Sequence, residues 1–259
     1  FDKSTSNLIL TKFGKAKIIT ATNVFAHIEN VNLLMKNLLR ILKDDGVFIS
    51  ESHYLVSLIK TNQYDTIYHE HLRYYSLTSL KYLFNKYDME IIHAKKINTH
   101  GGSIRVYAAK KKKFKINNSV RKILNYEKNF LNWKTFNNFK RKVVNSKLKL
   151  YSILKKLKNN NKKIYGVGAP SRASTLINYV GLDENIIDCV LEIDGSYKIG
   201  NYIPGKKIPI LSENKLYNDP PDYLILFSWH IASELKINLK KKGFKGKFII
   251  PLPHPIIEN

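Results

Sequence analysis

The chain has 259 residues, 44% of them hydrophobic, and a formal charge of +24 at pH 7. That is room for one large or two ordinary globular domains with real cores. A single cysteine, Cys189, rules out disulfides within the chain and suits a reducing cytoplasm; no apolar run reaches the length of a membrane span, and neither a signal peptide nor a membrane partner is expected.

The charge invites a nucleic-acid reading, but its distribution argues otherwise. Lysine supplies almost all of the excess and is spread along the chain, arginine is scarce, and no basic run is interleaved with aromatics as in a strand-binding groove. No nucleic-acid partner is expected; a positive field that attracts a phosphorylated small substrate fits. Cys189 lies in the apolar run "IIDCVLEID" and reads as a small buried residue.

In chain order, "KIITA" is a short apolar strand, followed by Val31, Leu34, Leu38 and Leu42 at helical spacing. Residues 43–46 stop that helix and "GVFIS" is a second strand, so strand, helix and strand make a parallel crossover unit. "SLTSLKYLFNKYDM" opens on capping hydroxyls and predicts an amphipathic helix. "MEIIHAKKINTHGGSIRVYAAKK" then reads as an antiparallel hairpin turned at His100, Gly101 and Gly102, closing the sheet edge. A parallel sheet ending in such a hairpin resembles the tail half of the S-adenosylmethionine-dependent methyltransferase fold. Its cofactor-holding glycine turn, which follows the first strand of that fold, is absent from this text.

Residues 113–162 change character, being long, polar, helical in pattern and strongly basic. They read as connecting helices, with Tyr126, Phe130 and Trp133 packing against a neighbouring domain. A second α/β unit follows: "KKIYGVGAPSRASTLINYVG" is strand, glycine turn and helix, and "IIDCVLEID", "IPI", "DYLILFSW" and "KFIIPLP" supply strands, with "IASELKINLKKKG" a helix. The expected organisation is therefore a partial methyltransferase domain over 1–112, a helical linker over 113–162 and a C-terminal Rossmann-like α/β domain over 163–259. Backbone donors of the turn at Gly166, Gly168, Ala169 and Ser171 could receive an anion at a helix start, and glycine geometry alone explains the same pattern equally well.

Ligands of open α/β sheets bind beyond the carboxyl ends of the strands. Asn23 and His27 fall at that edge, as does the stretch "YDTIYHEHLRYYS" at 64–76, in which four tyrosines, two histidines, a glutamate and an arginine follow neither helical nor strand periodicity. Three readings of "YHEH" stay open. His69, Glu70 and His71 could contribute to a metal site, although further ligands at recognisable spacing are missing. They could hydrogen-bond across a buried turn. Or His71 could take a proton near neutral pH, with Glu70 or Tyr68 orienting or polarising its partner.

"NVFAH", "DGVFISE", "YDTIYHEHLRYYS", "HGGSIRVY", "YGVGAPSRASTLINY", "YKIGNYIPGKKIPI" and "PDYLILFSWH" with "GKFIIPLP" together resemble, in that order, the sugar C-methyltransferases acting on nucleotide-linked keto-sugars. The resemblance spans nearly the whole chain. It implies S-adenosylmethionine as methyl donor and zinc only in an N-terminal domain that this text lacks, so that the chain looks like a piece of a longer protein. It further implies His71 as general base, Glu70, Tyr68 and His27 beside it, Asn23 near the cofactor, and the turn with Gly166, Gly168, Ala169, Ser171 and Arg172 along the diphosphate of the sugar nucleotide, of the dTDP type. A cytoplasmic monomer is expected. The alternatives are a nucleotide-sugar-binding module without catalysis, which the missing cofactor turn would explain, and a metal-dependent hydrolase.

Overall fold

Asp2 opens the first helix, α1 (Lys3–Phe13), by accepting the Thr5 amide at 2.8 Å. Hydropathy gave no sign of it, because Ser6 is the helix's buried residue and its apolar side chains do not form a stripe. The structure, a computed structural model, describes residues 1–259 and divides into two compact units. One comprises Phe1–Lys60 and His69–Phe136, the other Thr61–Tyr68 and Asn137–Asn259.

In the first unit, β1 (Ala16–Thr22) is joined to β2 (Leu42–His53) by α2 (Val31–Ile41). Asn30 caps α2 through the Leu33 amide, and Val31, Met35, Leu38 and Ile41 bury one face. Leu42 closes that face but already pairs with Ala16, and the ladder resumes at Ile18 opposite Val47, so 43–46 fall out of register where a plain stop was expected. The short helix α3 (Leu55–Lys60) follows, then α4 (Leu77–Asn85), which Ser76 and Ser79 open as a reciprocal capping box. β3 (Met89–Ile97) and β4 (Ser103–Lys110) form the hairpin, and β4 inserts beside β2, giving the order β1-β2-β4-β3 with β1 and β2 parallel. Its connection needs positive φ at His100, Gly101 and Gly102, and a Cβ at Gly102 would strike the Ser57 side chain. Phe25, Met35, Phe48, Phe84, Met89 and Val106 fill the core, with the rings of Phe48 and Phe84 edge to face at 6.0 Å.

The polar helical stretch is shared by the two units. α5 (Asn118–Phe130) and the first turn of α6 (Trp133–Asn159) belong to the first, and the rest of α6 to the second. Tyr126 and Phe130 stack at 5.6 Å and pack on the first unit's own core. Trp133, expected to be packed, is 79% exposed.

The second unit contains β5 (Ile164–Val167), α7 (Ser171–Val180), β6 (Cys189–Glu192), β7 (Ile210–Ser212), α8 (Lys215–Asn218), β8 (Tyr223–Leu226), α9 (Ala232–Lys241), β9 (Lys247–Ile250) and β10 (Ile256–Glu258). Their order is β10-β9-β8-β5-β6-β7, parallel except for β10. The chain winds outward from β5 to β6 and β7, then returns to β8 and β9 on the other side. The strand order thus reverses between β5 and β8, the position where open sheets leave a crevice.

Cys189 is buried in β6, and burial pushes its thiol up from 9.0 to about 12. The thiol should therefore resist alkylation at pH 8 in the folded protein and react at once in denaturant. Because the folded value is raised, the stability this group contributes is complete below about pH 9 and is lost as pH climbs toward 12. Alkylation followed by mass spectrometry, with and without urea, checks this.

Candidate active site

At the carboxyl end of β1 the chain turns sharply. Asn23 takes φ 55° and donates its N–H to the Glu51 carbonyl of β2 at 2.9 Å, leaving its side chain exposed. Phe25 and Ala26 then plug the core, so the turn Phe25–His27 projects His27 outward.

His71 meets it there. The two imidazole centroids lie 4.9 Å apart at 64°, and the Tyr74 ring stands edge-on to His71 at 6.2 Å. Stitching of one loop to the other makes that contact: Leu72 N–H donates to the Ala26 carbonyl at 3.1 Å. Arg73 reaches the Ile28 and Glu29 carbonyls with separate guanidinium nitrogens. Tyr75 is buried behind, and burial pushes its hydroxyl up to about 12. His69 and Glu70 are exposed on the same loop, while Tyr68 is half-buried and belongs to the second unit. Among the described residues no three His, Cys, Asp or Glu side chains converge as a metal site.

Close by, Glu51 is 4% exposed and held by Arg105, whose Nε lies at 2.8 Å, and by the Thr99 hydroxyl at 3.1 Å. Neither Arg73 nor this cluster was singled out from sequence. An arginine directly after "HEHL" was the available signal, but only the fold shows that it grips carbonyls 44 and 45 positions upstream.

In the second unit the glycine turn is engaged with its own surroundings. Gly166 lies inside β5, buried, where a Cβ would run into the Phe227 ring, so packing requires the glycine. Gly168 has φ 80° and donates to the Leu191 carbonyl at 2.8 Å. Ala169 donates to a Glu192 carboxylate oxygen at 2.6 Å and accepts from Lys198 Nζ at 2.8 Å. Ser171, the first residue of α7, is exposed. Arg172, expected along a diphosphate, is instead buried, and its guanidinium pairs with Asp65 through Nε at 2.8 Å and Nη2 at 2.9 Å.

A cavity of about 600 Å³ opens at the β5/β8 switch point, with Gly168, Pro170, Glu192, Lys198 and Ser228 among its walls. A groove of about 980 Å³ at the opposite, amino ends of the strands is lined by Lys162, Lys163 and Asp222. Asp222 already pairs with Lys162 there, and neither histidine nor glutamate lines it, so the crevice is the better ligand site.

Residues 98–253 match the C-methyltransferase C-terminal domain, and residues 2–94 match a methyltransferase domain. The chain belongs to the C-methyltransferase family. C-methyltransferase NovU of Streptomyces niveus is 31% identical over 253 residues, covering 95% of this chain and 60% of that protein. This family member thus spans about 60% of the length of the curated relative. The family boundary, near residue 98, falls in the β3–β4 connection, whereas the compact units part at Phe136 and Asn137. β4 therefore belongs by sequence to the C-terminal match and by hydrogen bonding to the sheet of the first unit. No helix is long and apolar enough to cross a membrane.

Proposed function

We propose that the protein of which this chain is part transfers a methyl group to the carbon beside the ketone of a nucleotide-linked sugar, with His71 as the base. The observation that supports this most is the paired imidazoles of His27 and His71 at the strand ends, where Leu72 and Arg73 hold the loop. A carbon beside a ketone becomes nucleophilic only after losing a proton. His71 takes that proton; of its neighbours in the chain, Tyr68 donates its hydroxyl to the developing enolate oxygen, and Glu70 accepts from sugar hydroxyls and so orients the sugar.

S-adenosylmethionine is assigned to the edge of β1, where Asn23 offers an exposed neutral amide on a turn fixed to the Glu51 carbonyl. When bound, it supplies an electrophilic methyl group. The residues of this chain align the nucleophilic carbon and exclude water from it.

The crevice of the second unit is assigned to the nucleotide. Lys198 provides the cation, Gly168 and the exposed Ser171 hydroxyl the close approach at the start of α7, and Gly166 and Ala169 shape the turn from behind. Lys198→Ala should weaken binding of the sugar nucleotide by about tenfold in calorimetry. Unchanged affinity would move the nucleotide elsewhere. A sugar nucleotide bound by the complete protein, with no exchange of its hydrogen beside the ketone, would favour a binding module over an enzyme.

A further inference from the structure

Asp65 is the most enclosed carboxylate of the second unit, 1% exposed, and it stands three residues before Tyr68 and six before His71. The Arg172 guanidinium forks onto it, Nε to Oδ2 at 2.8 Å and Nη2 to Oδ1 at 2.9 Å. Trp229 adds its indole N–H to Oδ2 at 2.8 Å. Arg172 Nη1 lies 3.2 Å from His230 Nδ1, and the guanidinium carbon is 5.1 Å from the Trp229 ring centroid. Three segments distant in sequence therefore meet on one buried carboxylate.

Such a pair adds little net stability. Desolvating both charges costs about what their attraction returns, and apolar replacements of similar volume often fold as well. What a bidentate fork fixes is direction and register. The turn Tyr64–Thr66 that bears Asp65 is closed on itself, with Thr66 N–H to the Gln63 carbonyl at 3.2 Å and Ile67 N–H to the Tyr64 carbonyl at 3.1 Å. The Tyr64 ring leans on Tyr179 with centroids 5.2 Å apart. Beyond His71, Leu72 and Arg73 are tied to the backbone of 26–29. Residues 68–71 thus follow directly on one fixed turn, at 64–67, and lead directly into another tied segment, at 72–73.

We propose that Asp65, gripped by Arg172 and Trp229, is a positioning residue that sets the register in which the loop presents Tyr68, Glu70 and His71 to the substrate. It acts through the backbone and touches no reacting atom. This inference rests on His71 being the base.

The test compares the complete wild-type protein with the double variant Asp65→Leu/Arg172→Leu and with Arg172→Lys, which keeps the charge and loses the fork. The double variant should fold, with kcat about 100-fold lower, as a displacement near 1 Å costs. KM for the keto-sugar nucleotide should stay within about threefold, and exchange of the hydrogen beside the ketone should fall in the same ratio as kcat. Arg172→Lys should lose about tenfold in kcat. In both variants the Thr66 and Ile67 amides should exchange at least about tenfold faster while the sheet amides are unchanged. A folded double variant with kcat within about threefold of wild type and unchanged Thr66 and Ile67 exchange overturns the proposal. So does an Arg172→Lys variant that loses folded protein but keeps kcat per folded molecule, the mark of a purely structural pair. Wild-type protein inert toward every keto-sugar nucleotide would remove the functional reading, and the amide-exchange contrast would still decide whether Asp65 sets the register of the loop.

Discussion

His71→Gln is expected to lower kcat of the complete protein by about a thousandfold, within the range that a positioned base contributes. KM for the sugar nucleotide should change little, because the nucleotide is assigned to the crevice of the second unit and His71 belongs to the first. Glutamine keeps bulk and hydrogen bonding but cannot accept the proton. Exchange of the hydrogen beside the ketone with deuterated solvent, measured without methyl donor, should fall in step with turnover. His27→Phe preserves a ring against His71 and should cost far less, about tenfold, since it removes only polarity beside the base. If exchange survives in His71→Gln, the proton leaves to another group.

The largest effect on stability is expected at Glu127. This carboxylate of α5 is 1% exposed and accepts from the Tyr54 hydroxyl at 2.8 Å, the Leu77 amide at 2.7 Å, and the Thr78 amide and hydroxyl at 2.8 and 2.6 Å. It caps the start of α4 from a distance in sequence and sits at the positive end of that helix, which is how an acidic side chain is tolerated there. Burial and the same carboxylate hold the Tyr54 hydroxyl protonated far above the ordinary range. Glu127→Ala leaves these donors buried without an acceptor and should cost about 4 kcal/mol, read from the denaturant midpoint. Tyr54→Phe removes one donor together with its bond and should cost about 1 kcal/mol. Glu127→Ala should also impair catalysis, because α4 begins at the residue after Ser76, where the loop of the candidate base ends. A cost below about 1 kcal/mol would mean that water replaces the carboxylate.

How much of this was legible depended on distance along the chain. Period and punctuation announced β1, α2, α4 and the hairpin, since Val31, Leu38 and the Ser76 cap act within a turn or two of themselves. Asn23 and His27 could be placed at the sheet edge from strand direction alone. The contact of His27 with His71 could not, because it depends on an amide of Leu72 finding the Ala26 carbonyl. For Arg172 only the family resemblance spoke, and it implied a place along a diphosphate. Its anion lies in the chain itself, at Asp65, 107 residues earlier. Gly166 stayed open for a related reason: a glycine that packs against Phe227 and one that cradles phosphate are the same letter. α1 was missed because its apolar residues do not segregate, and β10 because three residues carry too little pattern.

The most direct test is to supply the complete protein with S-adenosylmethionine labelled with ¹³C in its methyl group and a keto-sugar nucleotide, and to locate the label in the product by NMR. The account predicts a new carbon–carbon bond at the position beside the ketone, with loss of the hydrogen that exchanged there. Label found on a hydroxyl oxygen, or on carbon while that hydrogen is retained, would contradict it.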